Sequence, residues 1–308
     1  MWLPVLVVLV LILLYRWYRQ SQILENLTDK YVFITGCDSG FGNLLAKQLD
    51  ILGMRVLAAC LMKTGAENLM KETSSRLQTV ILDVTDSQSV ISAAEWVKEI
   101  VRDKGLWAIV NNAGIAFPIS PNEWLTKEDF LKILNVNLLG LIDVTLKMLP
   151  LIRRARGRVV NISSISGRLS FSGGGYSISK YGVEAFSDSL RREMIQFGVK
   201  VCIVEPGSFK TEIVNSGTIE GKLKELYEKV PEDILKLYSQ NYETFRKEYL
   251  DGFSKANPNI HLVTDCIQHA LTAVYPQTRY SAGWDAKLIL LPLSYCPTAL
   301  ADFILTKK

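Results

Sequence analysis

The stretch Tyr31-Val32-Phe33-Ile34-Thr35-Gly36-Cys37-Asp38-Ser39-Gly40-Phe41-Gly42 decides the fold. Its first five residues are all β-branched or aromatic and read as a strand. Three glycines follow in the pattern T-G-x-x-x-G-x-G, and Asn43 to Leu52 then reads as a helix. Strand, glycine turn and helix together form a cradle for phosphate. Gly36 permits a tight turn, Gly40 lets the backbone approach a pyrophosphate, and the free amides of the new helix face its negative charge. The spacing differs from the commoner G-x-G-x-x-G, so position along the chain carries more weight than the pattern. No G-x-x-x-x-G-K-[ST] occurs, which excludes a P-loop nucleotidase.

Further strands are expected at Arg55 to Cys60, Thr79 to Leu82, Trp107 to Asn111, Arg158 to Ser163 and Val199 to Glu205. Amphipathic segments separate them, such as Ser87 to Arg102 with Val90, Ile91, Ala94, Val97 and Val101 on one side. Apolar strands alternating with helices imply a parallel sheet covered on both faces. The expected fold class is therefore α/β, a doubly wound parallel sheet whose ligands sit at the carboxyl ends of the strands. One domain is expected over residues 28–308, with an insertion at about 212–256. Within it, Glu220 to Asp251 carries fourteen charged residues in thirty-two, together with Tyr227, Tyr238, Tyr242 and Tyr249. A solvated helical insertion and a lid over a substrate pocket both fit that composition.

Composition narrows the chemistry by exclusion. The 308 residues are 48% hydrophobic and 21% charged, with a net charge of only +4, so a chain-wide basic field for nucleic acid is missing. The basic cluster Arg153, Arg154, Arg156 and Arg158 is expected to end a helix, where solvated cations offset the dipole. Two histidines, His261 and His269, and five cysteines without a C-x-x-C pair make a metal site improbable. An odd, scattered set of thiols also argues against a disulfide-stapled scaffold. A serine hydrolase is excluded because no G-x-S-x-G elbow is present and both histidines lie in the last fifth of the chain.

Both ends are apolar. Trp2 to Tyr15 is nearly all Leu, Val and Ile and is followed by the collar Arg16-Trp17-Tyr18-Arg19, so residues 1–19 are expected to form a short retained membrane-anchor helix. The apolar stretch is about 21 Å long at 1.5 Å per residue; it needs snorkelling arginines or a thinned bilayer to span. Arg16, Arg19 and Lys30 all follow the segment, which predicts a cytosolic body. Asn26-Leu27-Thr28 would be a glycosylation acceptor in the opposite orientation. Leu288 to Leu305 is apolar but interrupted by Pro292 and Pro297, so a second continuous span is not expected. It reads equally as a packing surface or as an interfacial segment.

The reactive pattern lies at Tyr176-Ser177-Ile178-Ser179-Lys180, at the start of a helix reaching about Phe197. Four residues apart, Tyr176 and Lys180 share one helix face. An ammonium about 4 Å from a phenol interacts with the phenolate by roughly 4 kcal/mol at an effective dielectric of 20. That would lower its pKa from near 10 by up to about three, into the range of a working general base. A Y-x-x-x-K pair alone is common. Here Ser163-Ser164 ends a strand twelve residues before Tyr176 and brings a hydroxyl to the same region.

With T-G-x-x-x-G-x-G, Asn111-Asn112-Ala113-Gly114, the serine and Y-x-x-x-K all present in order, the chain resembles the short-chain dehydrogenase/reductase family. The resemblance implies a Rossmann-like fold and hydride transfer to a nicotinamide. It assigns Ser164, with Ser163 as the rival, to the substrate oxygen, Tyr176 to its proton and Lys180 to the nicotinamide ribose. Asn137 in Asn135-Val136-Asn137-Leu138 matches the asparagine of the proton relay; without the resemblance it would read as a helix-kink residue. The same carry-over implies cofactor contacts at Gly36, Ser39, Gly40, Phe41, Gly42, Asp83, Val84, Asn111, Ala113, Gly114, Pro206 and Thr211.

Longer strings resemble one branch of that family, the microsomal retinol dehydrogenases that also oxidise 3α-hydroxysteroids. They are Asp29 to Gly42, Ser187 to Arg192 and Arg279 to Lys287. The branch implies an endoplasmic-reticulum membrane protein, a retinoid or steroid substrate, contact with membrane lipids, and no metal or nucleic acid; a homodimer is one assembly it admits. It also implies NAD, although Ala58-Ala59-Cys60-Leu61-Met62-Lys63 lacks the acid that usually follows the second strand, and Lys63 could meet the 2′-phosphate of NADP. An NADP-dependent carbonyl reductase, or a lipid-binding scaffold without turnover, are the alternatives.

Overall fold

The computed structural model describes residues 3–211, 216–238, 242–254 and 256–306. Trp2, the start of the insertion at 212–215 and Lys308 therefore lie outside the described residues. The chain runs α1 (Leu3–Ser21), β1 (Tyr31–Thr35), α2 (Gly40–Ile51), β2 (Arg55–Cys60), α3 (Lys63–Lys71), β3 (Gln78–Ile81) and α4 (Ser87–Val101). Next come β4 (Ala108–Asn111), α5 (Lys127–Leu134), a π-helical segment over Asn135–Gly140, α6 (Leu141–Ala155), β5 (Arg158–Ile162), α7 (Gly175–Met194) and β6 (Lys200–Pro206). The remaining elements are α8 (Ser216–Lys229), α9 (Glu232–Leu237), α10 (Tyr242–Ser254), α11 (His261–Thr272), β7 (Arg279–Ala282), α12 (Leu291–Leu293) and α13 (Thr298–Thr306).

The seven strands form one parallel sheet in the order β3-β2-β1-β4-β5-β6-β7. Strand order reverses between β1 and β4, and the crevice above that switch point is where such sheets take ligands. Alternation along β1 divides the core between the two faces. Val32 and Ile34 pack with Leu45 and Leu49 of α2 and Val263 and Ile267 of α11. Phe33 packs on the other face with Val97 of α4, Met148 and Ile152 of α6, and Leu190 of α7. All these side chains are almost completely buried, each contributing about 1.5–3 kcal/mol of transfer free energy.

The sequence reading predicted six of these strands to within a residue or so and missed β7. Its four residues alternate half-buried and buried: Arg279 and Ser281 engage charged groups, while Tyr280 and Ala282 enter the core. Too short for a periodicity, β7 pairs with β6 from Ile203↔Arg279 to Pro206↔Ala282.

Arg158 is a second correction. It is buried at the start of β5 and not solvated with its neighbours. Its guanidinium donates to the carbonyls of Ala270 and Ala273 at the carboxyl end of α11 and lies 5.0 Å from the Trp107 ring. The helix whose dipole it offsets is thus α11, not the preceding α6.

The apolar rod lies in α1, which is nineteen residues long. The collar Arg16–Arg19 continues the same helix, and nineteen residues at 1.5 Å each give about 28 Å, close to the roughly 30 Å of a bilayer core. Residues 4–18 are exposed, and hydrogen bonding to the body begins at Gln20. At the other terminus Pro297 separates α12 from α13, leaving Leu288, Ile289, Tyr295 and Phe303 exposed. In the insertion Leu223 and Val230 pack on Trp124 of the loop after β4. The Trp124 ring meets Tyr227 and Tyr238 edge-on at 5.9 and 5.6 Å.

Candidate active site

The glycine turn is built as a close approach between β1 and β4. Thr35 Oγ1 accepts from the amides of Asn112 and Ala113, each at 3.0 Å, while Asn112 Nδ2 donates to the carbonyls of Thr35 and Gly36 at 2.9 and 3.0 Å. Gly36 has φ +69°, and a Cβ there would lie 2.9 Å from Ala113 Cα. Helix α2 begins at Gly40, three residues before the sequence-based start, so Gly40, Phe41 and Gly42 form its first turn. Ser39 is its N-cap residue, with no side-chain cap bond, which leaves first-turn amides for an anion. Thr211 lies against Gly40, 3.7 Å from where a Cβ would be, and Phe41 meets Phe209 edge-on at 6.0 Å. The uncapped first-turn amides of α2, beside a turn whose Gly36 and Gly42 admit no side chain, fit a pyrophosphate.

Of the Asn111-Asn112-Ala113-Gly114 motif, Asn111 faces the sheet interior. Its amide donates to Thr145 Oγ1 and Asn161 Oδ1, both at 2.8 Å, and Asn161 Nδ2 continues to Ser187 Oγ at 2.8 Å. Asn111 thus ties β4 to β5, α6 and α7, while Asn112, which the sequence reading did not single out, holds the turn. The N-N doublet was the available signal. Gly114 passes 3.3 Å from Asn137 Oδ1, measured from an ideal Cβ. Asp83, just beyond β3, accepts from Thr85 N and Oγ1 at 2.9 and 2.7 Å, and the Val84 carbonyl packs on Gly140. Pro206 ends β6, and Gly207 N returns to the carbonyl of Ala282 at 2.9 Å.

Asp38 was also missed, since its contacts lie twenty-three residues away. Its carboxylate accepts from Leu61 N at 2.8 Å and Met62 N at 2.9 Å, immediately after β2 and at the start of α3. No acid follows β2 in sequence, yet one stands there in space, supplied by the glycine turn.

Tyr176, Lys180 and the serines meet where β5 ends and α7 begins. Ser164 Oγ accepts from Ser166 N at 3.1 Å and lies near enough to the Tyr176 phenol to lower its pKa, whereas Ser163 Oγ donates to the Lys180 carbonyl at 3.4 Å, so the two neighbouring hydroxyls have different surroundings. Lys180 Nζ donates to the Ile162 carbonyl at 2.9 Å and lies 5.7 Å from the Tyr176 ring centre. Asn137, within the π-helical segment, pairs with the backbone of Ile115, accepting its N–H at 2.8 Å and donating to its carbonyl at 2.9 Å. The same Nδ2 reaches Ser179 Oγ at 3.0 Å, linking the segment to α7. Asn137 therefore sits at a local change of helix type, and π segments often mark functional sites.

The expected electrostatics need correction. Burial pushes the Tyr176 phenol above its ordinary value, with the nearby Ser164 hydroxyl pulling the other way. Burial also pushes Lys180 down to about 8, against the pull of Glu184 one turn along α7. The lysine ammonium is itself desolvated, so its proximity on the helix does not by itself deliver the drop of about three expected from Coulomb attraction.

Glu184 belongs to a buried charge cluster beneath the pair. Arg279 Nη2 lies 3.1 Å from Glu184 and 3.2 Å from Asp188, and Arg168 Nη1 is 3.0 Å from Glu205. Burial and the Glu205 charge push Glu184 up to about 7, against Ser163, Arg279 and Arg168. Between its ordinary 4.5 and about 7 the folded chain holds a proton that the unfolded chain releases, so this group's contribution to stability falls as pH rises through that window. Glu184→Gln is expected to flatten that part of the stability profile. Denaturant unfolding at several pH values tests it, and an unchanged slope would mean that Glu184 is ionised throughout.

Residues 30–220 match the family model described as short chain dehydrogenase. The chain is 58% identical to retinol dehydrogenase 16 of Homo sapiens over 306 residues, covering 99% of this chain and 96% of that protein. It is 56% identical to 17-beta-hydroxysteroid dehydrogenase type 6 of Homo sapiens over 309 residues, covering 100% and 98%. Among solved structures, a short chain dehydrogenase/reductase from Burkholderia phymatum in complex with NAD has the same fold, with a TM-score of 0.72 at 18% identity over 92% of this chain and 98% of that one.

Proposed function

The chain belongs to the short-chain dehydrogenase family, and from that premise we propose that it is a membrane-held dehydrogenase oxidising retinol and 3α-hydroxysteroids with NAD. The observation that carries this reading is the grouping of Ser164, Tyr176 and Lys180 beside the glycine cradle. Relatives named for retinol and hydroxysteroid oxidation match over nearly the full length and supply the substrate class.

Bound nicotinamide dinucleotide supplies the hydride acceptor. The amides after Gly36 and at the start of α2 would hold its pyrophosphate, Asp83, Val84 and the Asn111–Gly114 segment would flank its adenosine half, and Pro206 and Thr211 would contact its carboxamide end. Ser164 holds the substrate oxygen within reach of Tyr176, whose phenolate takes the carbinol proton. Lys180, mostly protonated at neutral pH, holds the ribose and stabilises the phenolate. Asn137 keeps α7 and the strand-end loop in register for this exchange through Ser179 and Ile115. The helices after Thr211, stacked on Trp124, serve as a lid, and the body faces the cytosol from the endoplasmic-reticulum membrane.

The preference for NAD is supported by Asp38. Its carboxylate, fixed by Leu61 and Met62 just after β2, would repel a 2′-phosphate and outweigh the solvated Lys63. Full-length protein assayed with all-trans-retinol or androstanediol should form NADH and use NADP poorly. Asp38→Asn should move the NAD-to-NADP ratio of kcat/KM by roughly tenfold toward NADP, about 1.4 kcal/mol. Reduction of ketones with NADP alone would overturn the direction and cofactor, and saturable cofactor binding without turnover would favour a scaffold.

A further inference from the structure

We propose that the cleft between the end of α1 and the segment before β7 binds the phosphate headgroup of an anionic phospholipid. The proposal rests on reading α1 as a membrane anchor. The cleft, about 470 Å³ and walled by Tyr15, Arg16, Arg19, Tyr275 and Arg279 among others, falls in the size range of small-ligand sites.

Its walls are held firmly. Gln22 and Leu24 pair with the backbone of Val274 and Thr272 at 2.8 Å each. The Gln20 carbonyl accepts from His269 Nε2 at 2.9 Å, and the other ring nitrogen meets the Tyr280 hydroxyl at 2.8 Å. Because a carbonyl can only accept, Nε2 carries the proton and Nδ1 accepts from Tyr280. Gln277 Nε2 adds a bond to Gln20 Oε1 at 3.2 Å. The mouth of the cleft thus has a fixed position relative to the apolar rod.

The charge is one-sided. Arg19 lies with its guanidinium carbon 3.8 Å from the Tyr275 ring centre, a stacking that occupies its face and leaves the N–H edges for an anion. Lys200 Nζ is 6.0 Å from the same ring and donates to the Val274 carbonyl at 2.7 Å. Behind it, buried Arg158 has carbonyl partners. Among the described residues none of Arg16, Arg19, Lys200 and Arg158 forms an ion pair, whereas Arg279 is already paired with Glu184 and Asp188. Lys200 is held below its ordinary pKa by burial and by the like charges of Arg158 and Arg19, as expected where positive charge is in excess.

Position selects the source of the anion. Exposed apolar residues run from Val5 to Leu14, and the cleft begins at Tyr15, where the aromatic and cationic collar starts. Such collars lie at headgroup level, and with a cytosolic body the adjacent leaflet is the one rich in anionic lipid. A planar guanidinium suits a phosphodiester through paired N–H···O bonds.

The test uses full-length protein in nanodiscs of phosphatidylcholine alone or doped with phosphatidylserine. Phosphatidylserine should raise the unfolding midpoint by about 2–4 °C, and Arg16→Gln/Arg19→Gln should abolish the rise. Lys98→Gln/Lys132→Gln, which also removes two charges but none from the cleft lining, should keep it. A full rise in the arginine variant, or its loss in the lysine variant, overturns the site in favour of diffuse charge attraction. An equal rise from inorganic phosphate in phosphatidylcholine discs overturns the lipid as its source. Failure to insert into phosphatidylcholine discs would instead overturn the anchor reading itself.

Discussion

Tyr176→Phe is expected to lower kcat for alcohol oxidation by about 10²–10⁴-fold, the usual scale of general acid–base catalysis, with cofactor affinity nearly unchanged. The ring of Phe fills the same space at the start of α7, so the fold is spared. What is lost is the oxygen that lies beside Ser164 and would accept the carbinol proton. Among the described residues of the site, Ser164 and Ser163 are hydroxyls without an adjacent histidine and Lys180 is bound to the Ile162 carbonyl, so none of them replaces that acceptor. Steady-state oxidation of retinol, paired with quenching of protein fluorescence by NADH, separates chemistry from binding. Wild-type turnover in the variant would sink the assignment of the base. Because burial holds the phenol above its ordinary pKa, oxidation should strengthen as pH rises from neutrality toward that of Tyr176, a limb that the Phe variant lacks.

Gly42→Val should remove saturable cofactor binding and cost about 1–3 kcal/mol of stability, the penalty for overpacking a filled interior. A Cβ at Gly42 would fall well inside contact with the Gly36 carbonyl oxygen and 2.5 Å from Asn112 Nδ2. One of these neighbours is backbone, and the other is tied to the carbonyls of Thr35 and Gly36. Neither can yield without opening the turn, so stability and affinity should fall together. Gly221→Ala offers the contrast: nothing lies within 4 Å of its added carbon, and a helical Gly→Ala change should stabilise by about 0.5–1 kcal/mol. Denaturant unfolding and NADH titration of both variants check the pair, and wild-type affinity in Gly42→Val would show that the turn is not the phosphate cradle.

Much of this was legible in the residues because it is local. A β-branched run into T-G-x-x-x-G-x-G specifies strand, turn and helix within a dozen positions, and Tyr176 and Lys180 are neighbours by helical period alone. What stayed hidden is tertiary. Asp38 reaches the end of β2 only because α3 packs beside the turn, and nothing near Leu61 announces a carboxylate. The sequence places the Lys180 charge near the phenol but says nothing about the burial that pushes both groups toward their neutral forms. Strand β7 was missed because Arg279 and Ser281 look like loop residues until Glu184 and Glu205 are seen beside them. Arg158 reads as the last of four surface cations, and only the position of α11 makes it a buried donor.

The π-helical segment at Asn135–Gly140 makes chain length itself a determinant here. Such a bulge absorbs an extra residue while the helical turns on either side keep their facing. Shortening the chain by one between 135 and 140 would restore an ordinary helix, with Ile133, Val144 and Met148 still able to face the core. The polar tie from Asn137 to Ile115 and Ser179 would be lost. A single-codon deletion at this point therefore separates foldedness from turnover, and would yield a stable, inert sibling of the enzyme with every other residue intact.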